Sequence, residues 1–446
     1  MRGLLRRLLS ARLQSRLQYR LQYRLQFRLQ FRLQSRLQSR LQSRMRSGLH
    51  SRASARMLAS LLVSLSALCA APAVRAELVR IAAQTSAYPV TVTDAAGRRV
   101  SIEQAPRRIY LQNGNDILAL ALLDREDPFS RILAWQNSLN DSDPTIWRQM
   151  RQRWPHAADI PELAFDNGGN ADVERLVRLR PDLLIMDLNT RGAVERGPLA
   201  RIMAQLRVPI LYLDSSKDPL NNVPAGLRAL GAALDRRERA DDYLSFYAQR
   251  RAAVQAGIDA SAHRPLAFIE ARAGRQGLDQ CCYSQAETSW GKLIGQAGAR
   301  NYASLLLRGA TGDIAMETLI RNKPDVYIMT GTARVRTGAH VIPFGYGATP
   351  ADARQAMAKL MARPGFDRIA QRPGDCVVGL YHQFYNSALN IAGLEYLARA
   401  LYPQTLGGLD PDATYREILE RFTEIPDAPF LFEMRRAFDG RSRCSF

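Results

Sequence analysis

The sequence NADVERLVRLRPDLLIM at residues 170–186 returns 143 residues later as DIAMETLIRNKPDVYIM at residues 313–329. The two stretches align without a gap and share seven identical positions, whereas average residue usage would give about one. The identical pairs are Glu174/Glu317, Leu176/Leu319, Arg178/Arg321, Pro181/Pro324, Asp182/Asp325, Ile185/Ile328 and Met186/Met329. A match of this quality indicates an internal repeat.

Each copy of the repeat predicts the same local structure. Asn170 and Asp313 are good N-cap residues, and an apolar pair then falls on one face of the helix. Pro181 and Pro324 end the helix ahead of an aliphatic strand. A helix, a proline and a buried strand in this order are common in α/β proteins. Their repetition nevertheless favours two related lobes, each with a glutamate in the first turn of an exposed helix.

Beyond the repeat, aliphatic runs alternate with helical patterns, and this alternation predicts an α/β fold with mainly parallel sheets covered on both faces. The predicted strands lie at residues 108–111, 132–135, 183–188, 208–214, 266–270, 325–329 and 376–380. A hairpin is predicted at residues 88–102, and the tail from residue 426 has little pattern.

The segment between the two copies of the repeat is helical and charged rather than rich in Gly and Ser. We therefore expect an N-terminal α/β lobe at residues 77–221 and a C-terminal α/β lobe at 263–446. Residues 222–262 should join them as one long, rigid helical strut.

The formal net charge of +20 suggests nucleic-acid binding until the charge is located in the chain. Residues 1–56 hold 15 arginines and no acid, and Arg75 adds one more, which leaves +4 for residues 77–446. A general polyanion-binding surface on the folded part is therefore not supported.

Residues 12–43 are eight copies of RLQ followed by Ser, Tyr or Phe. This repeat favours a low-complexity extension upstream of the true start over a cationic helix at a membrane surface.

A secretory signal peptide is predicted at residues 57–76. An arginine flank precedes a short apolar run, and Val74-Arg75-Ala76 offers cleavage after a small residue. Cys69 follows Leu68, where a lipid-acceptor cysteine needs a small neighbour. The sequence therefore predicts a soluble periplasmic protein and not a lipoprotein.

Four cysteines remain after the predicted cleavage: Cys281, Cys282, Cys376 and Cys444. In an oxidising compartment they allow up to two disulfides with three connectivities, which the sequence does not separate. A bond between the two adjacent cysteines is sterically awkward, so each is expected to pair at a distance or to stay free. Without a CxxC motif, a redox or zinc role has little support.

Several segments together resemble a known family over roughly residues 88–422. They are TVTDAAGRRVSIEQAPRRIYL, ERLVRLRPDLLIM, the helical strut, SWGKLIGQAGARN and YHQFYNSALNIAGLEYLARALYP. In this order they resemble the periplasmic substrate-binding proteins of ABC importers for iron-siderophore and cobalamin-type chelates. HQFYNS and the helix after it are most similar to the iron-siderophore branch.

The resemblance implies a class III periplasmic-binding-protein-like fold, with ligand held between two lobes that close only modestly. It also implies that one acidic residue on each lobe docks on arginines of the membrane permease. Glu174 and Glu317 match those positions. A first-turn glutamate also favours a helix N-terminus by roughly 0.3–1 kcal/mol, so helix electrostatics is the alternative explanation for each.

Ligands of open parallel sheets bind beyond the carboxyl ends of the strands. This rule nominates Asn113, Asn115, Trp135, Asn137, Asn189, Arg191, Ser215, Arg272, Thr330, Arg334, Tyr381, His382 and Tyr385. Ferric chelates require aromatic walls, guanidinium groups and amide donors, and these residues supply all three. Arg191 and Arg272 could equally be surface ion-pair residues, Trp135 could be core, and the aromatics of YHQFYNS could pack beneath the cleft.

The sequence predicts a monomeric receptor for an Fe(III) chelate, without a catalytic residue, resident metal or cofactor. A haem or cobalamin cargo is the main alternative. A bare-ion site assembled from His340, His382 and a carboxylate is less favoured, because the spaced histidine motifs of metal sites are missing. An exported enzyme using Ser387 and His382 lacks a GxSxG motif, and GYGATP at 345–350 lacks the lysine of a phosphate loop.

Overall fold

The chain forms two α/β lobes with a pair of consecutive helices between them, as described by a computed structural model. The structure describes residues 87–165, 172–333, 339–370 and 375–438. The predicted extension (1–56) and signal peptide (57–76) lie outside the described residues, as do Asn170, Arg334 and Cys444. Within the ranges that are described, no helix is both long and apolar enough to cross a membrane.

The N-terminal lobe begins with a hairpin and continues as a parallel sheet. Its strands are β1 (Val90–Thr93), β2 (Arg99–Ile102), β3 (Ile109–Leu111), β4 (Ile132–Trp135), β5 (Leu183–Asp187) and β6 (Ile210–Leu213). The sheet has the order β4-β3-β5-β6, and each neighbouring pair is parallel. Its strands are buried at nearly every position, as expected for aliphatic runs covered on both faces.

Short helices cover this sheet. They are α1 (Ile117–Leu123), α2 (Ser138–Ser142), α3 (Pro144–Arg153), α4 (Val173–Leu179), α5 (Arg191–Arg196) and α6 (Pro198–Gln205). The predicted strut consists of two helices, α7 (Pro219–Ala233) and the 23-residue α8 (Arg237–Asp259). Tyr243 and Tyr247 of α8 donate hydrogen bonds to the Ala388 carbonyl (2.7 Å) and Asn390 Oδ1 (2.9 Å), so the long helix is fixed to the C-terminal lobe.

The C-terminal lobe is a five-stranded sheet with further short strands. Its strands are β7 (Leu266–Glu270), β8 (Tyr283–Gln285), β9 (Arg300–Asn301), β10 (Thr311–Asp313), β11 (Val326–Gly331), β12 (Gly345–Tyr346), β13 (Cys376–Tyr381), β14 (Phe430–Leu431) and β15 (Glu433–Ala437). The sheet order is β15-β13-β11-β7-β9, and only β15 is antiparallel to its neighbour. The tail after residue 426, which has little pattern in the sequence, therefore supplies the edge strand β15.

Helices accompany the strands of this lobe. They are α9 (Ser289–Gln296), α10 (Met316–Arg321), α11 (Pro350–Met361), α12 (Asn390–Leu401), α13 (Pro403–Leu406) and α14 (Pro411–Phe422). Together with the mainly parallel sheets, they confirm the predicted α/β class.

The internal repeat corresponds to α4 followed by β5 and to α10 followed by β11. The predicted cap at Asp313 is wrong, because Asp313 lies in β10 and α10 begins at Met316 behind Ala315. In the first copy, the carboxylate of Asp172 caps α4 by accepting a hydrogen bond from the Arg175 amide (2.8 Å). The two helices therefore start at aligned positions, Val173 and Met316, but only the first start has a side-chain cap.

The cysteine prediction also needs correction. Cys281 and Cys282 are joined to each other by a disulfide across a cis peptide bond. A cis peptide brings neighbouring Cα atoms closer than a trans peptide does, and here they are 3.1 Å apart. The steric argument against pairing within this dipeptide assumed a trans bond.

Candidate functional site

A cavity of about 400 Å³ lies between the lobes, at the carboxyl ends of strands from both sheets. The N-terminal lobe lines it with Asn115, Ser138, Asp141 and Ser142, and the C-terminal lobe with Arg272, Arg275, Thr332, Ala339, Val341, Gln383 and Asn386. A larger cavity of about 530 Å³ lies among α12, α13, α14 and the last two strands, within the C-terminal lobe. Because parallel α/β sheets bind ligands beyond strand carboxyl ends, the cavity between the lobes is the candidate site.

The N-terminal wall is a small hydrogen-bonded network built on the turn after β3 and on α2. Ser138 Oγ donates to Asn113 Oδ1 (3.1 Å), and Ser142 Oγ donates to Asn115 Oδ1 (2.7 Å). A side chain at Gly114 would meet the Gln136 carbonyl at 2.7 Å, so only glycine lets the two segments approach this closely. The network fixes the orientation of the amides that face a ligand.

Both lobes meet at the end of α2, beside the cavity. The carbonyl oxygen of Ser142 accepts hydrogen bonds from Thr332 Oγ1 (3.0 Å) and from Gln383 Nε2 (2.8 Å) of the other lobe. The neighbouring Asp143 carboxylate accepts a hydrogen bond from the Tyr381 hydroxyl. These contacts close one side of the cleft and limit the relative movement of the lobes.

Two arginines carry the positive charge of the C-terminal wall. Arg272 follows β7 with a left-handed backbone (φ 52°), and its amide donates to Thr330 Oγ1 (2.8 Å). Arg275 lies three residues further on, with its guanidinium carbon 5.0 Å from the ring centroid of Tyr283. Guanidinium groups bind carboxylates and other anionic oxygens bidentately, so this wall is suited to an anionic ligand.

His382 lies behind these arginines and is only 2% exposed. Burial, together with Arg272 and Arg275, lowers its pKa well below the usual value, so the imidazole is neutral at pH 7. Its Nδ1 is 2.7 Å from Thr330 Oγ1, and the Tyr385 ring packs edge-on against it at 5.2 Å. His382 therefore supports the wall and does not face the cavity.

Several residues nominated from the sequence lie elsewhere. Trp135 is 1% exposed and packs against Phe129 and Trp147, so it belongs to the core, not to a ligand wall. Asn137 is also buried, where its Oδ1 caps α2 through the Asn140 amide (3.2 Å). Neither residue lines the cavity, so the structure does not support them as ligand contacts.

Four more nominated residues also fall outside the lining of the cavity. Asn189 is exposed beside α5, and Arg191 forms an ion pair with Glu195 (2.8 Å) on the same helix. Ser215 is buried just beyond the end of β6. The Tyr381 hydroxyl donates a hydrogen bond to the Asp143 carboxylate.

Sequence reasoning missed most of the polar residues that line the cavity: Ser138, Asp141, Ser142, Arg275, Thr332, Gln383 and Asn386. Gln383 and Asn386 belong to YHQFYNS, a segment placed at the cleft by the sequence, but only its Tyr381, His382 and Tyr385 were nominated. The serines of α2 follow β4 directly, so the strand-end rule extended by one turn would have found them.

Three aspartates lie at the carboxyl ends of the N-terminal strands or just beyond them. Burial raises the pKa of Asp116 to about 8, and repulsion from Asp187 and Asp214 contributes. Burial, with a contribution from Asp214, also raises the pKa of Asp187. Asp116 is therefore mainly neutral at pH 7.

The alternative of a bare-ion site assembled from the histidines finds little support in this geometry. Among the described residues, His340 and His382 do not form a ligand group with a carboxylate. The group that does form combines Glu270 with Cys281 and Cys282, whose sulfurs are already bonded to each other. Glu270 also forms a bidentate ion pair with Arg363 (2.7 Å for each bond), so its oxygens are engaged.

The two repeat glutamates lie at equivalent places on the lobes. Glu174 and Glu317 are each the second residue of a helix that leads into a central strand, and both are exposed. The Glu174 side chain is 89% exposed and is 3.6 Å from Arg178. An exposed ion pair of this kind contributes little to stability. Because Glu174 and Glu317 are both exposed, their side chains are accessible to a partner.

Two α/β lobes with a polar cavity at the facing strand ends define a two-lobed solute-binding protein. The family model described as "Periplasmic binding protein" matches residues 142–370, about half of the chain. The chain belongs to this family of periplasmic binding proteins of ABC transporters, which bind solutes and are not enzymes. Membership implies a periplasmic location.

Solved structures share the fold at low sequence identity. A TroA-like periplasmic binding protein, FepB from Veillonella parvula, superimposes with a TM-score of 0.70 at 23% identity, covering 78% of this chain and 99% of its own. The molybdate-binding protein MolA of Haemophilus influenzae gives 0.55 at 14% identity, with 77% and 100% coverage. Helicobacter pylori CeuE, in a structure with a Ni-His complex, gives 0.54 at 13%, with 76% and 96% coverage. No curated protein matches the sequence significantly.

Proposed function

We propose that this protein captures an anionic ferric-siderophore-like chelate between its lobes and delivers it to the permease of an ABC importer. The observation that carries the proposal is the pair Arg272 and Arg275 on one wall of the cavity between the lobes. Ferric chelates built from catecholate, hydroxamate or carboxylate oxygens are often anionic, and guanidinium groups bind such oxygens bidentately.

The other wall supports the same cargo. Asn115 and Ser138 supply amide and hydroxyl groups that can fix the orientation of a chelate, and Gln383 and Asn386 do so from the opposite lobe. A volume of about 400 Å³ lies in the range of roughly 300–1,000 Å³ that small-molecule pockets occupy. The cavity is therefore large enough for a small-molecule ligand.

Haem and cobalamin fit the cavity less well. Haem iron usually takes an axial His, Cys, Met or Tyr ligand from the protein. The side chains of His382 and Tyr381 are buried and hydrogen-bonded to Thr330 and Asp143. Cobalamin, with its corrin ring and nucleotide arm, is larger than a compact ferric chelate.

The related structures support a metal-containing cargo only in general terms. One is named as bound to molybdate and another as holding a Ni-His complex, so this fold accommodates unlike metal species. Because unlike cargoes share the fold, the choice of a ferric chelate rests on the residues of this cavity.

Delivery is assigned to Glu174 and Glu317, one on each lobe. Their exposure and matched position on equivalent helices fit docking on two permease arginines. Glu238, an exposed first-turn glutamate of α8, has the same helix electrostatics but lies outside the repeat, so it is a matched control. We further propose export through the signal peptide at 57–76 and a monomeric receptor.

A ligand panel tests the cargo. The protein from Glu77 onward is titrated with ferric citrate, a ferric catecholate, a ferric hydroxamate, haemin, cobalamin and Zn²⁺, with tryptophan fluorescence as the readout. Trp290 packs 6.2 Å from the ring of Tyr385, one residue from the lining residue Asn386, and should report occupancy. Saturable binding of a ferric chelate alone supports the proposal, and binding of haemin, cobalamin or Zn²⁺ alone refutes the cargo.

A further inference from the structure

We propose that Thr330 and His382 are positioning residues that hold the Arg272 backbone so that its guanidinium faces the cavity. The inference rests on the proposed anionic cargo but concerns residues that do not line the cavity. Both had been nominated from the sequence as ligand contacts, and the geometry assigns them a different role.

The first step is the backbone of Arg272 itself. Its φ of 52° is a left-handed conformation that costs a residue with a side chain on the order of 1 kcal/mol. On either side the chain is fixed, because the Ala271 amide donates to the Tyr283 carbonyl (2.8 Å) and the Ala273 amide to the Thr330 carbonyl (2.9 Å). The amide of Arg272 itself donates to Thr330 Oγ1 (2.8 Å). Without that hydroxyl, the amide would lose this hydrogen bond.

The second step is the orientation of the Thr330 hydroxyl. Because the oxygen accepts the Arg272 amide, its own hydrogen is available to donate to His382 Nδ1 at 2.7 Å. A neutral imidazole with its proton on Nε2 accepts that hydrogen bond, and burial favours the neutral ring. His382 is held in turn, since Trp290 Nε1 donates to its carbonyl oxygen (3.0 Å).

The third step is the rigidity of the chain of contacts. Arg272 follows β7, Thr330 lies in β11 and His382 follows β13, and these three strands are neighbours in one parallel sheet. Thr330 is 0% exposed, so it cannot contact a ligand. We call the hydrogen-bonded chain Arg272–Thr330–His382 the relay. It links a fixed sheet to one residue of the cavity, which is the arrangement that preorganised binding sites require.

Four variants of the full mature chain test the inference. Thr330→Val removes the hydroxyl at similar size, and Thr330→Ser restores it. Thr423→Val is the matched control, because the buried Thr423 hydroxyl likewise accepts a backbone amide (Ile425, 3.2 Å) and donates to a carbonyl (Leu419, 2.9 Å). Arg272→Gln removes the charge that the relay is proposed to position.

The first readout needs no ligand: hydrogen exchange of the Arg272 amide measured by NMR. We expect exchange roughly tenfold faster or more in Thr330→Val, with near wild-type protection in Thr330→Ser and Thr423→Val. Unchanged protection in Thr330→Val would overturn the inference whatever the protein binds.

The second readout is affinity for ferric citrate as an anionic probe. Thr330→Val should weaken binding by roughly tenfold, Thr330→Ser and Thr423→Val by no more than about twofold. Combining Thr330→Val with Arg272→Gln should cost no more than Arg272→Gln alone, because both changes remove the same interaction. If the losses of affinity in Thr330→Val and Arg272→Gln multiply in the double variant, the inference is wrong, but the proposed function is not affected. If the wild type binds none of the ferric chelates, the proposed function fails and amide exchange alone decides the inference.

Discussion

Replacing Tyr381 with Phe removes one hydroxyl from the contact between the lobes. That hydroxyl donates to Asp143, whose carboxylate is 1% exposed. The other carboxylate oxygen of Asp143 is already bonded to the Thr145 amide (2.9 Å) and hydroxyl (2.6 Å). Tyr381→Phe therefore removes the hydrogen bond from the Asp143 oxygen that faces the C-terminal lobe.

The expected cost follows from the charge of the acceptor. A hydrogen bond to a charged group contributes roughly 1.5–3 kcal/mol, against about 1 kcal/mol for a neutral pair. Ring packing should survive, since the centroids of Phe384 and Phe432 lie 5.1 and 4.8 Å away. We expect Tyr381→Phe to lower the free energy of unfolding by about 2–3 kcal/mol.

Urea denaturation at pH 7 measures this loss, and Tyr243→Phe is its control. Tyr243 is also buried but donates to a neutral carbonyl at 2.7 Å, so the loss for Tyr243→Phe should be about 1 kcal/mol. In the background of Asp143→Asn, the cost of Tyr381→Phe should shrink, because the charge is gone. A loss for Tyr381→Phe no larger than that of the control would refute the assignment of a charged contact between the lobes.

Three further predictions concern charge. Asp116 has a pKa of about 8 in the folded protein against 3.8 for an ordinary carboxyl, so its stabilising effect is complete below about pH 4 and is lost as pH rises through 8. Asp116→Asn should therefore be more stable than wild type at pH 8 by roughly 3 kcal/mol or more in thermal or urea unfolding, with a gap that closes towards pH 4. Glu174→Arg with Glu317→Arg should abolish transport in a reconstituted importer yet leave ligand affinity within about twofold, whereas loss of affinity would contradict docking. Arg272→Gln with Arg275→Gln should weaken ferric citrate binding by roughly 100-fold at low salt in a fluorescence titration, and an unchanged affinity would remove the arginines from the site.

Hydrophobic patterning was sufficient to predict most of the fold. The strands at 132–135 and 266–270 have the bounds expected from their apolar runs. The edge strand β15 was missed because EMRRA contains few apolar residues and is mostly half-buried. Its hydrogen bonds to β13 depend on the fold as a whole, which local pattern does not encode.

The strand-end rule located the correct edge of each sheet but not the direction of each side chain. Trp135 ends β4 yet faces the core, because successive residues of a strand point to opposite faces. Asn115 and Arg272, on turns just beyond their strands, do line the cavity. The contact of Gln383 with Ser142 joins residues 241 positions apart and depends on how the lobes pack, so no local signal predicts it.

The proposed function requires that the arginine wall of the cavity between the lobes binds an anionic ferric chelate. A titration of wild type and of Arg272→Gln with ferric chelates, haemin, cobalamin and Zn²⁺, followed by tryptophan fluorescence, tests it most directly. We expect saturable binding of a ferric chelate at micromolar concentration or below, with weaker binding by Arg272→Gln. Equal binding by both proteins, or binding of only haemin, cobalamin or Zn²⁺, would contradict it.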